Sequence, residues 1–272
     1  MSRLKVAADL EMHYRIDNFC DPWSEVETVV LLHGIAESSV AWYGWIPALA
    51  SRLRVVRPDL RGFGKSTAMP ADYPWSIDVI AKDVIALADR LEIDRFHLVG
   101  AKLGGTVAVR LAAAATQRVS SLSIIGSPVA AAGMLAESVP SWLRTIETAG
   151  VESWALSSMD ARLGRSSSDA AKRWWAAMMA QTATTSLVGL LRALPQIDVT
   201  DDLDRIRCRT MVVTGSGGSL GTTQQIQAWQ ERIANSMLIV LPTDAYHIAA
   251  AAARQVAEHV AQFIEAEARN PE

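Results

Sequence analysis

Short continuous apolar runs recur along the chain, separated by longer stretches in which apolar residues have helical spacing. Such runs are typical of strands that are buried on both faces of a parallel sheet. They occupy residues 28–32, 55–56, 96–99, 119–125, 210–214 and 237–241. The clearest helical stretch follows Ser76, which is a suitable N-cap, and its apolar residues fall on one face. Alternating strands and helices predict a mostly parallel sheet with helices on both faces.

The two ends of the chain extend this pattern. Residues 1–19 hold two short segments, and the second alternates apolar with polar side chains, which predicts an antiparallel hairpin at the sheet edge. Helical spacing predicts a helix over residues 40–52. It also predicts a final helix that carries Val256, Val260 and Phe263 on one face.

Residues 134–195 differ from the rest of the chain. They show no clear strand and are rich in Trp, Met and Ala, which predicts an insertion of several short helices. We therefore divide the chain into a core, residues 1–133 and 196–272, and a helical cap, residues 134–195. The cap is expected to cover the carboxyl ends of the strands, where such sheets hold their ligands.

Composition and charge narrow the functional classes. The chain has 272 residues and is 50% hydrophobic, enough for one large core with an insertion. Its net charge of −3 and lack of a basic block argue against a nucleic-acid partner. Cys20 and Cys208 have no metal-ligand spacing and are expected to be free thiols. Because no signal segment and no run of about 18 apolar residues is present, we expect a cytoplasmic protein without a membrane partner.

The stretch HLVGAKLGGT, residues 97–106, combines a strand, a sharp turn and the start of a helix. A side chain at such a corner projects from the sheet edge beside a helix N-terminus, where backbone N–H groups favour negative charge. The pattern has the shape of the G-x-S-x-G nucleophile elbow, whose small residues allow a strained turn. Lys102 stands where that motif has its nucleophile.

Five stretches together resemble the α/β-hydrolase family. They are HGIAESSVAW (33–42), RPDLRGFGKS (57–66), VGAKLGG (99–105), VVTGSGGS (212–219) and DAYH (244–247). Their order and spacing extend over nearly the whole chain. Within the family, the chain is most similar to the enol-lactone hydrolases and the meta-cleavage-product hydrolases. The resemblance implies an α/β-hydrolase fold with a mostly parallel eight-stranded sheet and a helical cap.

The resemblance also assigns the positions of a catalytic triad. The nucleophile position corresponds to Lys102 and the histidine to His247. The usual acid position holds Gly218, and the alternative position after residue 125 offers only Gly126 and Ser127. Two of the three triad side chains are therefore replaced, which indicates a natural departure rather than a single engineered change.

Parts of the site that are built from backbone are retained. The family's oxyanion-hole donors correspond to the N–H groups of Ile35 and Leu103. His33 is expected to have a structural role beside that loop. Asp59 and Arg61 are expected to brace the loop at residues 57–66 rather than take part in chemistry.

Three roles are open to Lys102. A helix N-terminus and burial both disfavour its charged form, and a neutral amine is a general base or attacks a carbonyl carbon to give a Schiff base. If it stays protonated, it is suited to hold a carboxylate or stabilise an enolate. The structural alternative is that its stem fills an abandoned pocket.

The remaining candidates surround these two residues. Without an acid at position 218, His247 needs another group to fix its tautomer. Asp244 is one candidate for this role. The alternative is that packing alone holds the ring. Glu37, regarded as an exposed loop carboxylate, is a candidate substrate-binding residue together with Trp142 and Trp174 of the cap. Tyr246 is a further candidate for the pocket.

Two functional hypotheses follow. In the first, the chain is an enzyme that acts through Lys102 and His247 on a small apolar carbonyl compound, by hydrolysis or by lyase-type carbon–carbon chemistry. The substrate would be a lactone, an ester, a β-keto acid or a 1,3-diketone. In the second, it is a catalytically inactive protein that binds a ligand in the same pocket. The sequence shows no metal or nucleotide motif, so we expect no cofactor, a small molecule as partner and, as an open question, a homodimer.

Overall fold

A single sheet organises the computed structural model, which describes residues 2–130, 135, 137–217 and 221–268. In these ranges eight strands pair in the order β1-β2-β4-β3-β5-β6-β7-β8. The strands are β1 (Ser2–Ala7), β2 (Leu10–Asp17), β3 (Thr28–Leu32), β4 (Arg54–Pro58), β5 (Phe96–Ala101), β6 (Val119–Ile125), β7 (Arg209–Gly215) and β8 (Ser236–Leu241). Strands β1, β2 and β4 pair antiparallel in turn, and all other neighbours are parallel.

The apolar pattern explains this arrangement. Strands β3 and β5 are buried along their whole length, because helices cover both faces of the central sheet. The predicted N-terminal hairpin forms β1 and β2 and lies at the edge, as expected from its alternating pattern. The prediction of a mostly parallel sheet of eight strands is confirmed.

Helices flank the sheet and rise above it. In the described part of the chain the α-helices are α1 (Ile46–Leu49), α2 (Ile77–Arg90), α3 (Leu103–Ala114), α4 (Val139–Ser157), α5 (Met159–Leu163), α6 (Asp169–Met179), α7 (Thr184–Ala193), α8 (Thr223–Gln230), α9 (Ile248–Ala251) and α10 (Ala253–Ala268). Short 3₁₀ turns occur at Ser39–Trp42, Leu194–Gln196 and Thr200–Arg205. No helix in the described ranges is long and apolar enough to cross a membrane.

One helix prediction is wrong. Residues 40–52 form a 3₁₀ turn and the short helix α1 instead of one continuous helix. Pro47 has no N–H to donate, and Gly44 weakens the segment before it. The indole Nε1 of Trp45 donates to the carbonyl oxygen of Ala249 at 2.7 Å, which fixes the segment against α9.

The cap consists of α4 to α7 in the described residues, and the predicted helical insertion is present. Helix α4 is longer than expected but is kinked at Gly150, which has φ 85°. The predicted boundary between residues 133 and 134 lies outside the described residues, so the division into core and cap stays a prediction.

Two apolar clusters hold these layers together. One joins α2 and α3 to the sheet and continues into the cap through buried side chains such as Trp154, Trp175 and Leu187. The other lies on the opposite face beneath α1 and α10 and contains Trp42 and Trp45. The cap and the core thus share one apolar interior above the ends of β3 and β5.

Candidate active site

The turn between β5 and α3 has the backbone of a nucleophile elbow. Lys102 adopts φ 58° and ψ −123°, a region that residues other than glycine rarely occupy. The neighbouring glycines allow this turn, since a Cβ at Gly104 would lie 2.0 Å from the carbonyl oxygen of Leu32. A Cβ at Gly100 would lie 2.3 Å from the carbonyl oxygen of Gly104. The strained corner is therefore built as the sequence predicts, with a lysine at its tip.

The amine of Lys102 is buried and makes no hydrogen bond to the described residues. Lys102 itself lines a cavity. Nζ lies 4.0 Å from the centroid of the Tyr246 ring. Burial and the nearby Arg162 hold the pKa of Lys102 well below its usual range, and Glu37 opposes them only in part. This environment favours the neutral amine.

Glu37 corrects the expectation of an exposed carboxylate, because only 1% of it is exposed. The absence of a side chain at Gly34 permits this, since a Cβ there would lie 2.8 Å from Oε1 of Glu37. The backbone N–H of Gly34 donates to Oε2 at 3.0 Å. Oε1 accepts from Nε2 of His247 at 2.8 Å and from Nη1 of Arg162 at 3.3 Å. The carboxylate thus joins the loop after β3, the cap and the loop before α9.

The charge of Glu37 is strongly stabilised by these partners. Burial alone would raise its pKa, but His247 and Arg162 lower it to about 2. Glu37 is therefore an anion at neutral pH, and Arg162 is its buried counterion. A buried carboxylate with this set of donors is a fixed element of the site rather than a group that exchanges protons near pH 7.

The ring of His247 is oriented by Glu37, a residue that the sequence did not indicate for this role. Its contact with Glu37 places a proton on Nε2, while Nδ1 is buried and has no partner among the described residues. Burial lowers the pKa of His247, opposed by Glu37, which favours a neutral ring. Asp244 does not orient it, because its carboxylate accepts from the backbone N–H of Arg165 at 3.3 Å. Gly218 lies outside the described residues.

The predicted oxyanion donors lie beside Lys102. Ile35 and Leu103 both line the same cavity as Lys102. Leu103 is the first residue of α3, so its N–H has no partner within the helix and the helix dipole favours an anion there. Their role as an oxyanion hole stays a prediction that this placement supports.

The residues expected to be structural make contacts suited to that role. The Nδ1–H of His33 donates to the carbonyl oxygen of Gly34 at 2.8 Å, and its Nε2 accepts from the N–H of Leu60 at 2.9 Å. Asp59 accepts from the N–H groups of Ser39 and Lys65. Arg61 makes a bidentate contact with Asp83 and a further one with Asp9, at 2.6 to 2.8 Å.

A cavity of about 310 Å³ lies between the elbow and the cap, large enough for a small organic molecule. Its walls are mostly apolar and include Trp142 and Trp154 of α4 and Leu191 of α7. Trp142 is therefore placed where substrate contact was predicted. Besides Lys102, Arg162 is the other basic side chain in the wall as described. Glu37 is not a wall residue, so direct substrate binding by Glu37 is not supported by the geometry.

Trp174 is a correction to the predicted substrate-binding set. It is 40% exposed, is not part of the cavity wall, and packs against Tyr43 with ring centroids 4.9 Å apart. The neighbouring Trp175 points inward instead and meets the ring of His247 at 5.3 Å. Adjacent residues of a helix face different directions, so α6 directs only one of the two indoles toward the site.

Two members of the site were missed or misjudged from the sequence. Arg162 gave no signal, because its position in the site depends on how α5 docks on the core. The inward orientation of Glu37 had one signal: it lies three residues after Gly34 on the loop that carries Ile35. Within the described residues, no group of three or more His, Cys, Asp or Glu side chains is arranged to hold a metal ion.

Comparison with known proteins agrees with the fold described above. A family model described as alpha/beta hydrolase fold matches residues 27–251. The chain is 30% identical over 227 residues to a pimeloyl-[acyl-carrier protein] methyl ester esterase of Aeromonas hydrophila, covering 78% of this chain and 85% of that protein. It is 37% identical over 102 residues to a 2-hydroxymuconate semialdehyde hydrolase of a Pseudomonas species, covering 36% of each chain.

Among solved structures, the fold is similar to that of an enol-lactonase from Burkholderia xenovorans. The TM-score is 0.86, with 21% sequence identity, and the match covers 96% of this chain and 99% of that one. At this identity the likeness concerns the fold.

Proposed function

The chain belongs to the α/β-hydrolase family, and we propose that it is an enzyme that acts on small apolar carbonyl compounds through the amine of Lys102. The amine attacks the carbonyl carbon, and lyase-type cleavage of a carbon–carbon bond follows. β-Keto acids and 1,3-diketones are the substrate class that suits this chemistry. Esters and lactones suit it less, since acylation of an amine leaves a stable amide.

The proposal depends on one observation, the state of Nζ at the elbow. A lysine is a nucleophile only when it is deprotonated, and desolvation beside another cation is a known way to achieve this near neutral pH. Nζ of Lys102 is buried, is unpartnered in the described structure, and has a lowered pKa because of burial and Arg162. The cavity above it is apolar enough to exclude bulk water from the adduct.

The chemistry balances without a cofactor. Nζ forms a bond to the carbonyl carbon, and the oxygen leaves as water after taking one proton from nitrogen and one from solvent. The resulting iminium accepts the electron pair of the breaking carbon–carbon bond, giving an enamine. The other fragment leaves as carbon dioxide from a β-keto acid or, after water has added to the second carbonyl, as a carboxylic acid from a 1,3-diketone. Protonation of the enamine carbon and hydrolysis then release the product and the free amine. The N–H groups of Ile35 and Leu103 are suited to hold the oxygen before it leaves.

We assign proton transfer in this scheme to His247, whose ring is neutral, although His247 is not one of the described wall residues of the cavity. Its Nδ1 is the unprotonated nitrogen, and Glu37 fixes the ring by accepting from Nε2. The same observation favours the second candidate function, a ligand-binding protein without catalysis. In that case the pair is a structural brace, since the nitrogen that meets the nucleophile in the family is occupied by Glu37.

Turnover and trapping together separate the two functions. Wild type, Lys102→Ala and the matched control Lys82→Ala, an exposed lysine on α2, are incubated with β-keto acids, 1,3-diketones, enol lactones and aryl esters. Parallel samples receive borohydride, and adducts are located by mass spectrometry. We expect turnover and a reduced adduct on Lys102 that only Lys102→Ala abolishes. Ligand binding with neither turnover nor adduct would support the binding protein, and labelling by a fluorophosphonate would contradict the lysine mechanism.

A further inference from the structure

Tyr246 holds a position that the proposed chemistry has not yet used. The face of its ring lies under Nζ of Lys102, at 4.0 Å from the centroid. The ring also lines the cavity, so it is next to the space in which a substrate bonded to Nζ must lie. No hydrogen bond competes for the amine in the described structure. The ring is thus a close aromatic neighbour of Nζ.

An aromatic face interacts differently with the two states of the amine. The ring quadrupole places negative potential on the face and attracts a cation within about 6 Å, most strongly where water is excluded. A neutral amine gains much less. The reaction of Lys102 converts a neutral amine into a positively charged iminium, so a positive charge develops over this ring during catalysis.

We propose that the ring of Tyr246 stabilises the positive charge on Nζ of Lys102, and thereby the iminium formed with substrate. This inference rests on the proposed amine chemistry only in taking the cation to be an iminium formed with substrate. The contribution of the ring to a positive Nζ holds equally for the protonated lysine. Tyr246 therefore acts on the reacting nitrogen itself.

The other charged groups near Nζ leave a role for such a contribution. Arg162 faces Lys102 from the cap, and its guanidinium carbon also lies 5.3 Å from the Tyr246 ring centroid. Glu37 faces the site from the loop after β3, but Arg162 and His247 both contact its Oε1. The features that keep the free amine neutral, burial and Arg162, also disfavour the iminium. The ring counteracts this at the step where charge appears, without adding a second anion.

A graded change of the ring face tests the inference. Tyr246 is replaced by phenylalanine and by phenylalanines that carry one, two or three fluorine atoms, which weaken the negative face with little change in shape. The same series at Tyr43, whose ring contacts Trp174, is the matched control. The equilibrium constant for imine formation with a small aromatic aldehyde is measured by absorbance. Borohydride reduction and mass spectrometry confirm Lys102 as the site.

We expect Tyr246→Phe to resemble wild type and the imine constant to fall steadily with each fluorine, by about tenfold over the series. The Tyr43 series is expected to be flat. A flat Tyr246 series, or a fall that is equal at both positions, would overturn the inference.

A second readout separates this inference from the proposed function. The pKa of Lys102 is followed by NMR of side-chain-labelled lysine, with Lys102→Arg to assign the signal. The inference predicts that fluorination lowers this pKa in step, because the ring favours the charged amine. If no aldehyde forms an adduct on wild type, the proposed function fails, while the pKa series still decides whether the ring stabilises charge on Nζ.

Discussion

Replacing Glu37 with Gln is expected to destabilise the fold in a pH-dependent way. Gln keeps the size of the side chain and approximates the protonated acid, so it removes only the charge. The carboxylate contacts His247, Arg162 and the N–H of Gly34, and only 1% of Glu37 is exposed. Loss of the carboxylate charge leaves the buried guanidinium of Arg162 without its counterion, Glu37.

The magnitude follows from the pKa. Folding lowers the pKa of Glu37 from 4.5 to about 2, which corresponds to about 3 kcal/mol at 1.36 kcal/mol per pKa unit. A lowered pKa contributes stability that is fully present above the unfolded value and is lost as pH falls through the folded value. Glu37→Gln should therefore cost about 3 kcal/mol at pH 7, and the difference from wild type should shrink between pH 4.5 and about 2.

Urea denaturation followed by tryptophan fluorescence measures this, since the chain has nine tryptophans. Wild type, Glu37→Gln and the exposed control Glu152→Gln are compared at pH 7, 5, 4 and 3. The control should match wild type throughout. Equal stability of Glu37→Gln and wild type at pH 7, or a deficit that does not narrow at pH 3, would refute the electrostatic role assigned to Glu37.

The remaining predictions concern the elbow and its surroundings. Lys102→Met should raise the free energy of unfolding at pH 7 while abolishing turnover, since it removes a buried amine with a lowered pKa. The gain in stability should shrink as pH rises toward 10.5, where the unfolded lysine also loses its proton. Urea titrations at pH 7 and 10 measure this change, and a constant gain would contradict a neutral amine. His247→Ala should lower turnover by about 100-fold, and an unchanged rate would remove it from the mechanism. Gly104→Ala should cost about 3 kcal/mol or prevent folding, because its Cβ would lie 2.0 Å from the carbonyl oxygen of Leu32; a wild-type melting temperature would show that the elbow is less tightly packed.

The elbow and the oxyanion loop were predictable because their geometry is local. A strand followed by closely spaced glycines and a helix allows few backbone paths, and Lys102 occupies the one expected. The Nδ1–H of His33 likewise donates within its own loop, to the carbonyl oxygen of Gly34. In such segments the residue types decide the turn before tertiary packing is known.

The burial of Glu37 and its contacts were not predictable in the same way. Glu37 is polar, lies in a loop and precedes two serines, which is typical of an exposed position. Its burial depends on a partner 125 residues later in the cap, Arg162, and one 210 residues later, His247. Helix α6 poses a similar problem, since two consecutive tryptophans fit the helical pattern equally well and only docking selects Trp175.

The two departures from the family's triad are electrostatically consistent with each other. A lysine that must be neutral requires surroundings that do not favour its charged form. A second carboxylate near the elbow would raise the pKa of both His247 and Lys102. The single carboxylate of Glu37 is instead matched by Arg162, so the site fixes His247 without leaving excess negative charge beside the amine. Under the proposed lysine chemistry a further acid would therefore be unfavourable, and Glu37 already holds Nε2 of His247 at 2.8 Å.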